Sequence, residues 1–88
     1  MKLNRDKLNN CSLTDGAVAS LTVIDRLQKF KPEEQVVGLA ATFLLVCEHY
    51  RVSVQDVMTV TTNMIHDARR RHVPEFDAVD LYVMNELA

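Results

Sequence analysis

The stretch from Pro32 to Tyr50 constrains the fold more than any other part of this sequence. Ten of the twelve residues from Val36 to Cys47 are apolar, the exceptions being Gly38 and Thr42. Lys31-Pro32-Glu33-Glu34 comes directly before them, and proline at the first helical position followed by acidic residues is typical of a helix start. Because apolar side chains surround the helix axis, we expect this helix to be buried on nearly every side, as the central helix of the fold.

Three further stretches show helical periodicity, over residues 12–30, 54–68 and 74–87. The 88-residue chain has room for one hydrophobic core, and its two glycines and two prolines are too few for the tight turns of an all-β fold. The sequence therefore predicts an all-α fold, a compact bundle of about four helices around the nearly all-apolar central helix. We expect residues 1–11 to be a flexible N-terminal segment and residues 12–88 to be a single helical domain.

Charge, cysteine content and hydropathy favour a cytoplasmic protein. The formal net charge is −2, and the first ten residues contain no apolar stretch of the kind found in signal peptides. The run from Val36 to Cys47 would span about 18 Å as a helix, against roughly 30 Å for a bilayer, so no membrane partner is expected. Of the two cysteines, Cys47 lies inside the apolar run and is interpreted as a small core residue in a reducing compartment.

No residue pattern in the sequence predicts catalysis, a metal or a cofactor. His49, His66 and His72 lie in different predicted elements, and neither a histidine pair at i, i+4 nor a CxxC motif occurs. The sequence also contains no glycine-rich phosphate loop and no nucleophile and base at a familiar spacing. We therefore interpret the chain as non-enzymatic and without cofactors.

One side of the central helix carries mostly small or polar residues and is a candidate for self-association. Small residues at helical spacing let two helix backbones approach closely. Either a neighbouring helix of the same chain covers this side, or a second subunit does, and the surplus of apolar surface favours a homodimer. We call this side the Gly38 strip; it consists of Gly38, Ala41, Thr42, Leu45 and His49.

A basic run, Arg69-Arg70-Arg71-His72, closes the third predicted helix. It is a candidate contact for an anion, a nucleic acid or an acidic partner surface. The alternative is structural, because cations at a helix C-terminus bind the last carbonyls and oppose the helix dipole. Acidic residues follow closely in the sequence, which favours the structural interpretation.

The segment from Val46 to Val60 resembles a DNA-binding helix-turn-helix. Its second helix would present amides and hydroxyls suited to base edges and phosphates, from Gln55, Thr59, Thr62, Asn63 and His66. Arg51 occupies the turn position where glycine is usual, and the first helix is longer than the motif requires. Residues 55–67 also contain no lysine or arginine for phosphate contacts. Two consecutive bundle helices are the favoured interpretation.

The stretch from Gln35 to Leu87 resembles small uncharacterised accessory proteins of tailed bacteriophages. The resemblance lies in VVGLAATFLLVCEHYRVSVQDV and RRRHVPEFDAVDLYVMNEL, and this stretch is about 60% of the chain. It implies a viral product in a bacterial cytoplasm, and brings no activity and no site residues. The favoured hypothesis is a non-enzymatic helical interaction or regulatory protein, homodimeric, that binds a host or viral protein. A helix-turn-helix regulator of transcription is the alternative.

Overall fold

Five α-helices account for most of residues 2–87, the part of the chain that the computed structural model describes. They are α1 (Arg5–Asn9), α2 (Leu13–Leu27), α3 (Pro32–His49), α4 (Val54–Arg70) and α5 (Pro74–Asn85). Residues 2–87 contain no β-strand. The all-α class and the helical bundle predicted from the sequence are confirmed, with one short helix more than the four expected.

The longer helices begin at the residues that the sequence marks as helix starts. The hydroxyl of Ser12 accepts a hydrogen bond from the Asp15 N–H at 3.2 Å at the start of α2. At the start of α4, the Ser53 hydroxyl accepts one from the Asp56 N–H at 3.3 Å. Proline opens both α3 and α5. These contacts satisfy backbone donors that a helix leaves free in its first turn.

Two of the turns between helices use the same left-handed backbone conformation. Arg51 after α3 has φ 52° and His72 after α4 has φ 54°. The Val52 N–H then donates to the Cys47 carbonyl, and the Val73 N–H donates to the Ala68 carbonyl, both at 3.0 Å. Each turn closes its helix with the hydrogen bonds of a Schellman motif, at a position where glycine is usual and other residues lose about 1 kcal/mol.

The core lies between α2, α4 and α5. Helix α2 packs chiefly on α5, and α4 packs on α5 and on α1. Ala17 and Ile24 of α2 and Val79 of α5 form the buried cluster, and four partly buried side chains pack against it: Leu21, Phe76, Tyr82 and Leu87. Helix α4 adds buried Val60 and Ala68. Three amphipathic helices thus bury their apolar sides against one another.

The expectation that the apolar helix α3 forms the core is wrong for the single chain. Among its 18 residues only Cys47 is buried, at 4% exposure, and the helix pairs in close contact do not include α3. The physical reason is that α5 packs on both α2 and α4, so these helices cover their apolar sides without α3, which connects α2 with α4 along the outside. The interpretation of Cys47 as a small core residue is confirmed.

The N-terminal segment contains a helix where the sequence analysis expected a flexible chain. Asn4 caps α1 by accepting a hydrogen bond from the Lys7 N–H at 2.9 Å. The Leu3 N–H donates to the Tyr50 carbonyl at 2.9 Å, which places the segment beside the α3–α4 turn. This polar stretch thus forms a short helix with caps and backbone contacts that composition does not reveal. Met1 and Ala88, the outer residues of the two predicted segments, lie outside the described residues.

Within residues 2–87, no single helix has both the length and the apolar character needed to cross a bilayer. Helices α3 and α4 meet those criteria only when taken together, and a bend of 118° separates them.

The position of the core leads to a stability prediction. Ile24→Ala removes a side chain that is 9% exposed in the α2–α5 cluster, so we expect the free energy of unfolding to fall by about 2 to 4 kcal/mol. Val18→Ala, one and a half turns away on the exposed side of α2, should change it by less than about 0.5 kcal/mol. Urea denaturation measures both. Equal effects of the two substitutions would contradict this placement of the core.

Candidate interaction surface on α3

Helix α3 exposes large apolar side chains around most of its circumference. Val36, Val37 and Leu45 are 69%, 67% and 65% exposed, respectively. Leu39, Leu44 and Val46 are also exposed, while Phe43 is half-buried. Apart from Leu45, which belongs to the Gly38 strip, these residues were not predicted as surface candidates, because the sequence placed the helix inside the core. A contiguous apolar surface of this kind typically marks an interaction site.

Both ends of α3 are held by hydrogen bonds, and its middle is bare. At its start the Gln35 side-chain amide donates to the carbonyls of Leu27 and Phe30, at 2.9 and 3.0 Å. At its end the hydrogen bonds of the Schellman turn around Arg51 close the helix, and the Tyr50 carbonyl accepts one from the Leu3 N–H. Between these anchors only the side of the helix that carries Phe43 and Cys47 is covered by the rest of the chain.

The Gly38 strip lies on the open side of α3. All five of its residues are exposed, and a Cβ atom added at Gly38 would have no neighbouring atom within 4 Å. No helix in the described part of the chain therefore covers the strip, which removes the first of the two alternatives that the sequence left open. Coverage by a second subunit remains a prediction.

The overall dimensions show how much surface the chain leaves uncovered. The accessible surface area is 6574 Å². A folded monomer of this mass is expected to expose about 5,200 Å², so the excess is roughly 1,300 Å². The radius of gyration is 13.4 Å, against about 12 Å for a compact domain of this length. The shape is a slab, 35 × 31 × 17 Å, rather than a sphere.

The basic run at the end of α4 is occupied by ion pairs. The Arg69 guanidinium donates to both Asp80 carboxylate oxygens, at 3.1 and 2.8 Å, which joins α4 to α5. Arg70 and Arg71 both donate to Asp67 one turn earlier. Two carboxylates thus offset most of the charge of the three arginines.

These contacts also change the acidity of the two carboxyl groups. Hydrogen bonds from Arg70 and then Arg71 hold the pKa of Asp67 below its ordinary value. The hydrogen bond from Arg69 does the same for the pKa of Asp80. His72, the last residue of the run, is exposed in the left-handed turn after α4. The arginines of the run thus form ion pairs within the chain, and their hydrogen bonds go to carboxylates rather than to the last carbonyls of α4 that the structural alternative named.

The helix-turn-helix face of α4 is polar and mostly exposed. Gln55, Thr62, Asn63 and His66 are exposed, while Thr59 is half-buried and accepts a hydrogen bond from the Gln55 amide at 3.2 Å. Two features match the motif: α3 and α4 are bent by 118° from one another, and the turn residue Arg51 adopts the conformation that glycine favours. The face carries no lysine or arginine.

Within residues 2–87, no group of three or more histidine, cysteine, aspartate or glutamate side chains is arranged to hold a metal ion. An apolar cavity of about 260 Å³ lies where Leu8, Gly16 and Val60 meet. It is slightly smaller than the roughly 300 to 1,000 Å³ typical of small-molecule pockets. An open depression of about 570 Å³ is lined by polar side chains, from Asp25, Arg26, Gln28 and Lys29. The bare side of α3 is the extensive apolar surface, and it is therefore the candidate for binding.

Comparison with protein-family models, with curated proteins and with solved structures gives no match. The resemblance to phage accessory proteins stays a prediction from the sequence.

The ion pairs of the basic run lead to a prediction for carboxyl titration. In the wild type, ¹³C NMR should give a pKa for Asp80 below 3.8, and Arg69→Gln should raise it toward 3.8 because the donor is gone. Asp67 serves as the internal control, since its pKa should stay lowered in that variant. A lowered folded-state pKa stabilises the fold above pH 3.8, and this contribution is lost as the pH falls through the folded pKa. An ordinary Asp80 pKa in the wild type would show that the pair does not form.

Proposed function

We propose that this chain is a non-enzymatic interaction protein that works as a homodimer, with α3 as the surface through which two copies associate. The observation that carries the proposal is the exposure of α3, an apolar helix that its own chain does not cover. Water disfavours such a surface by about 25 cal/mol for each Å² of apolar area, so association that covers it is favourable.

The size of the uncovered surface supports a stable interface. Specific protein complexes bury about 800 Å² on each partner, and obligate homodimers often bury more. The whole chain exposes roughly 1,300 Å² more than a compact monomer of its mass, and the exposed apolar side chains of α3 contribute to that excess. Since a second copy is always present wherever the chain is made, it is the simplest occupant for a surface of this area.

A dimer of this kind would still have apolar surface for another protein. Met84 and Leu81 on α5 are 78% and 59% exposed, and Val18 on α2 is exposed as well. These side chains lie on the α2–α5 side of the molecule, on different helices from the Gly38 strip. The resemblance to phage proteins suggests a host or viral protein in a bacterial cytoplasm as the partner for this second surface.

The dimer leads to a prediction for mass in solution. Size-exclusion chromatography with light scattering should give about 20 kDa at high micromolar concentration, twice the chain mass of 10.0 kDa. Leu45→Arg should give a 10 kDa species, because the buried charge would have no partner in the interface. Leu81→Arg is the matched control, since Leu81 is similarly exposed on α5, and it should remain a dimer. A 10 kDa wild type at that concentration would refute the proposal.

DNA binding by the α3–α4 unit is the second candidate function. The 118° bend and the left-handed turn at Arg51 favour it. It predicts salt-sensitive binding to duplex DNA that weakens when Arg69, Arg70 and Arg71 are all changed to Gln. Electrophoretic mobility measures this, with circular dichroism as the control for folding. The absence of any shift with duplex DNA at low salt would eliminate this candidate.

A further inference from the structure

We infer that the two copies pair their α3 helices antiparallel, so that Leu45 of each copy lies over Gly38 of the other. The inference rests on the proposed dimer and specifies its geometry. Two positions on the open side of α3 support this pairing. Leu45 is a large side chain that projects into solvent, at 65% exposure, and the space above Gly38 is empty to at least 4 Å.

The spacing of these positions makes the strip complementary to itself. Gly38 and Leu45 are seven residues apart, which is about two helical turns on the same side. When a second α3 runs in the opposite direction about an axis between Ala41 and Thr42, position 38 lies opposite position 45 of the other copy. The two-fold axis then forms the same contact twice, as an isologous interface requires. Ala41 and Thr42, small and exposed, allow close approach at the crossing point.

A parallel pair would fit less well. It would place Leu45 against Leu45 and Gly38 against Gly38, so that the helices would be held apart at one end and would leave a void at the other. Voids and overpacking both lower the stability of an apolar contact. Antiparallel helices also bring opposite ends of their dipoles together.

Repulsion between like charges favours pairing through the Gly38 strip over pairing through the neighbouring side of α3, which carries Val37 and Leu44. Antiparallel pairing through that neighbouring side would place Glu33 of one copy near Glu48 of the other, and these like charges repel. Pairing through the Gly38 strip instead brings Glu34 near His49 of the other copy, which involves no like charges. The Glu34 carboxylate accepts a hydrogen bond from its own Lys31 N–H, at 3.0 Å, and keeps a second oxygen for that contact.

A second copy also fits α3 better than a lipid surface does. A helix that lies on a bilayer needs a charged or polar face for the water side. Along the middle of α3, apolar residues project in most directions, and the only polar residue between Val36 and Cys47 is Thr42. Covering such a helix calls for apolar contact on more than one side, which a partner helix with its attached body provides.

Exchanging the small side chain at position 38 and the large one at position 45 tests the antiparallel register. Gly38→Leu alone and Leu45→Ala alone should each weaken the dimer at least about tenfold, by overpacking and by a void, respectively. The double variant should recover to within about threefold of the wild type, because Leu at position 38 then meets Ala at position 45 of the other copy. Dissociation constants from sedimentation equilibrium measure this, and circular dichroism checks the fold of each variant.

The outcomes separate this inference from the proposal of a dimer. One outcome is a wild type that dimerises and a double variant whose dissociation constant is about a hundredfold higher or more, the product of the two single effects. That result would overturn the antiparallel register and leave the dimer in place. A wild type that is monomeric at all concentrations would overturn both.

Distance measurement gives a test that does not depend on the size-exchange variants. A spin label is placed on Lys31→Cys in a Cys11→Ser background, where buried Cys47 does not react. Antiparallel pairing should separate the two labels by about 30 Å, since position 31 lies some ten residues from the axis on each copy. A separation below about 15 Å would show parallel pairing and would contradict the inference.

Discussion

The packing of α2 against α5 is the interaction on which the rest of the structure depends. Ala17 and Ile24 meet Val79 in the buried cluster, and they join segments of the chain that are more than fifty residues apart. The Tyr82 hydroxyl extends the contact to the end of α2, where it lies 3.0 Å from Asp25 Oδ1 and 3.1 Å from Gln28 Oε1. Helix α5 packs on α4 as well as on α2, so the buried contacts form without α3. Its apolar surface is therefore displaced to the outside by the core that the other helices form.

This displacement connects folding to association. A chain of 88 residues buries only about 60% of the surface that it exposes when unfolded, and here its most apolar helix is not part of that fraction. Any partner that binds only the folded chain, through α3, raises the free energy of unfolding. This gain grows with the logarithm of the partner's concentration once that concentration exceeds the dissociation constant. A homodimer built on α3 would thus be stabilised by the surface that destabilises the free chain.

Features that depend on residues within one helical turn were predictable from the sequence. The caps at Ser12 and Ser53 and the start at Pro32 follow from side chains and backbone groups three or four positions apart. The buried faces of α2 and α5, with Ile24 and Val79, follow from helical periodicity. The place of α3 was not predictable, because its composition shows that it needs covering and does not show which chain covers it.

The candidate surfaces likewise differ in whether they depend on local spacing or on the packing of distant helices. The Gly38 strip was found from spacing alone, whereas the exposure of Val36 and Val37 depends on how distant helices pack. The pairing of Arg69 with Asp80 depends on the angle between α4 and α5, which the left-handed turn at His72 sets. A left-handed turn is uncommon at residues other than glycine, so the sequence alone left the basic run open between an anion site and a structural role.

Hydrogen exchange of the backbone amides of α3, measured at several protein concentrations, shows whether a second copy covers this helix. We predict that the amides of residues 36–46 become protected as the concentration rises, while those around Ile24 are protected throughout, because α2 lies in the core of each chain and a second copy covers the bare side of α3. Protection of residues 36–46 that is strong at every concentration, down to conditions where light scattering shows only the 10.0 kDa chain, would contradict it.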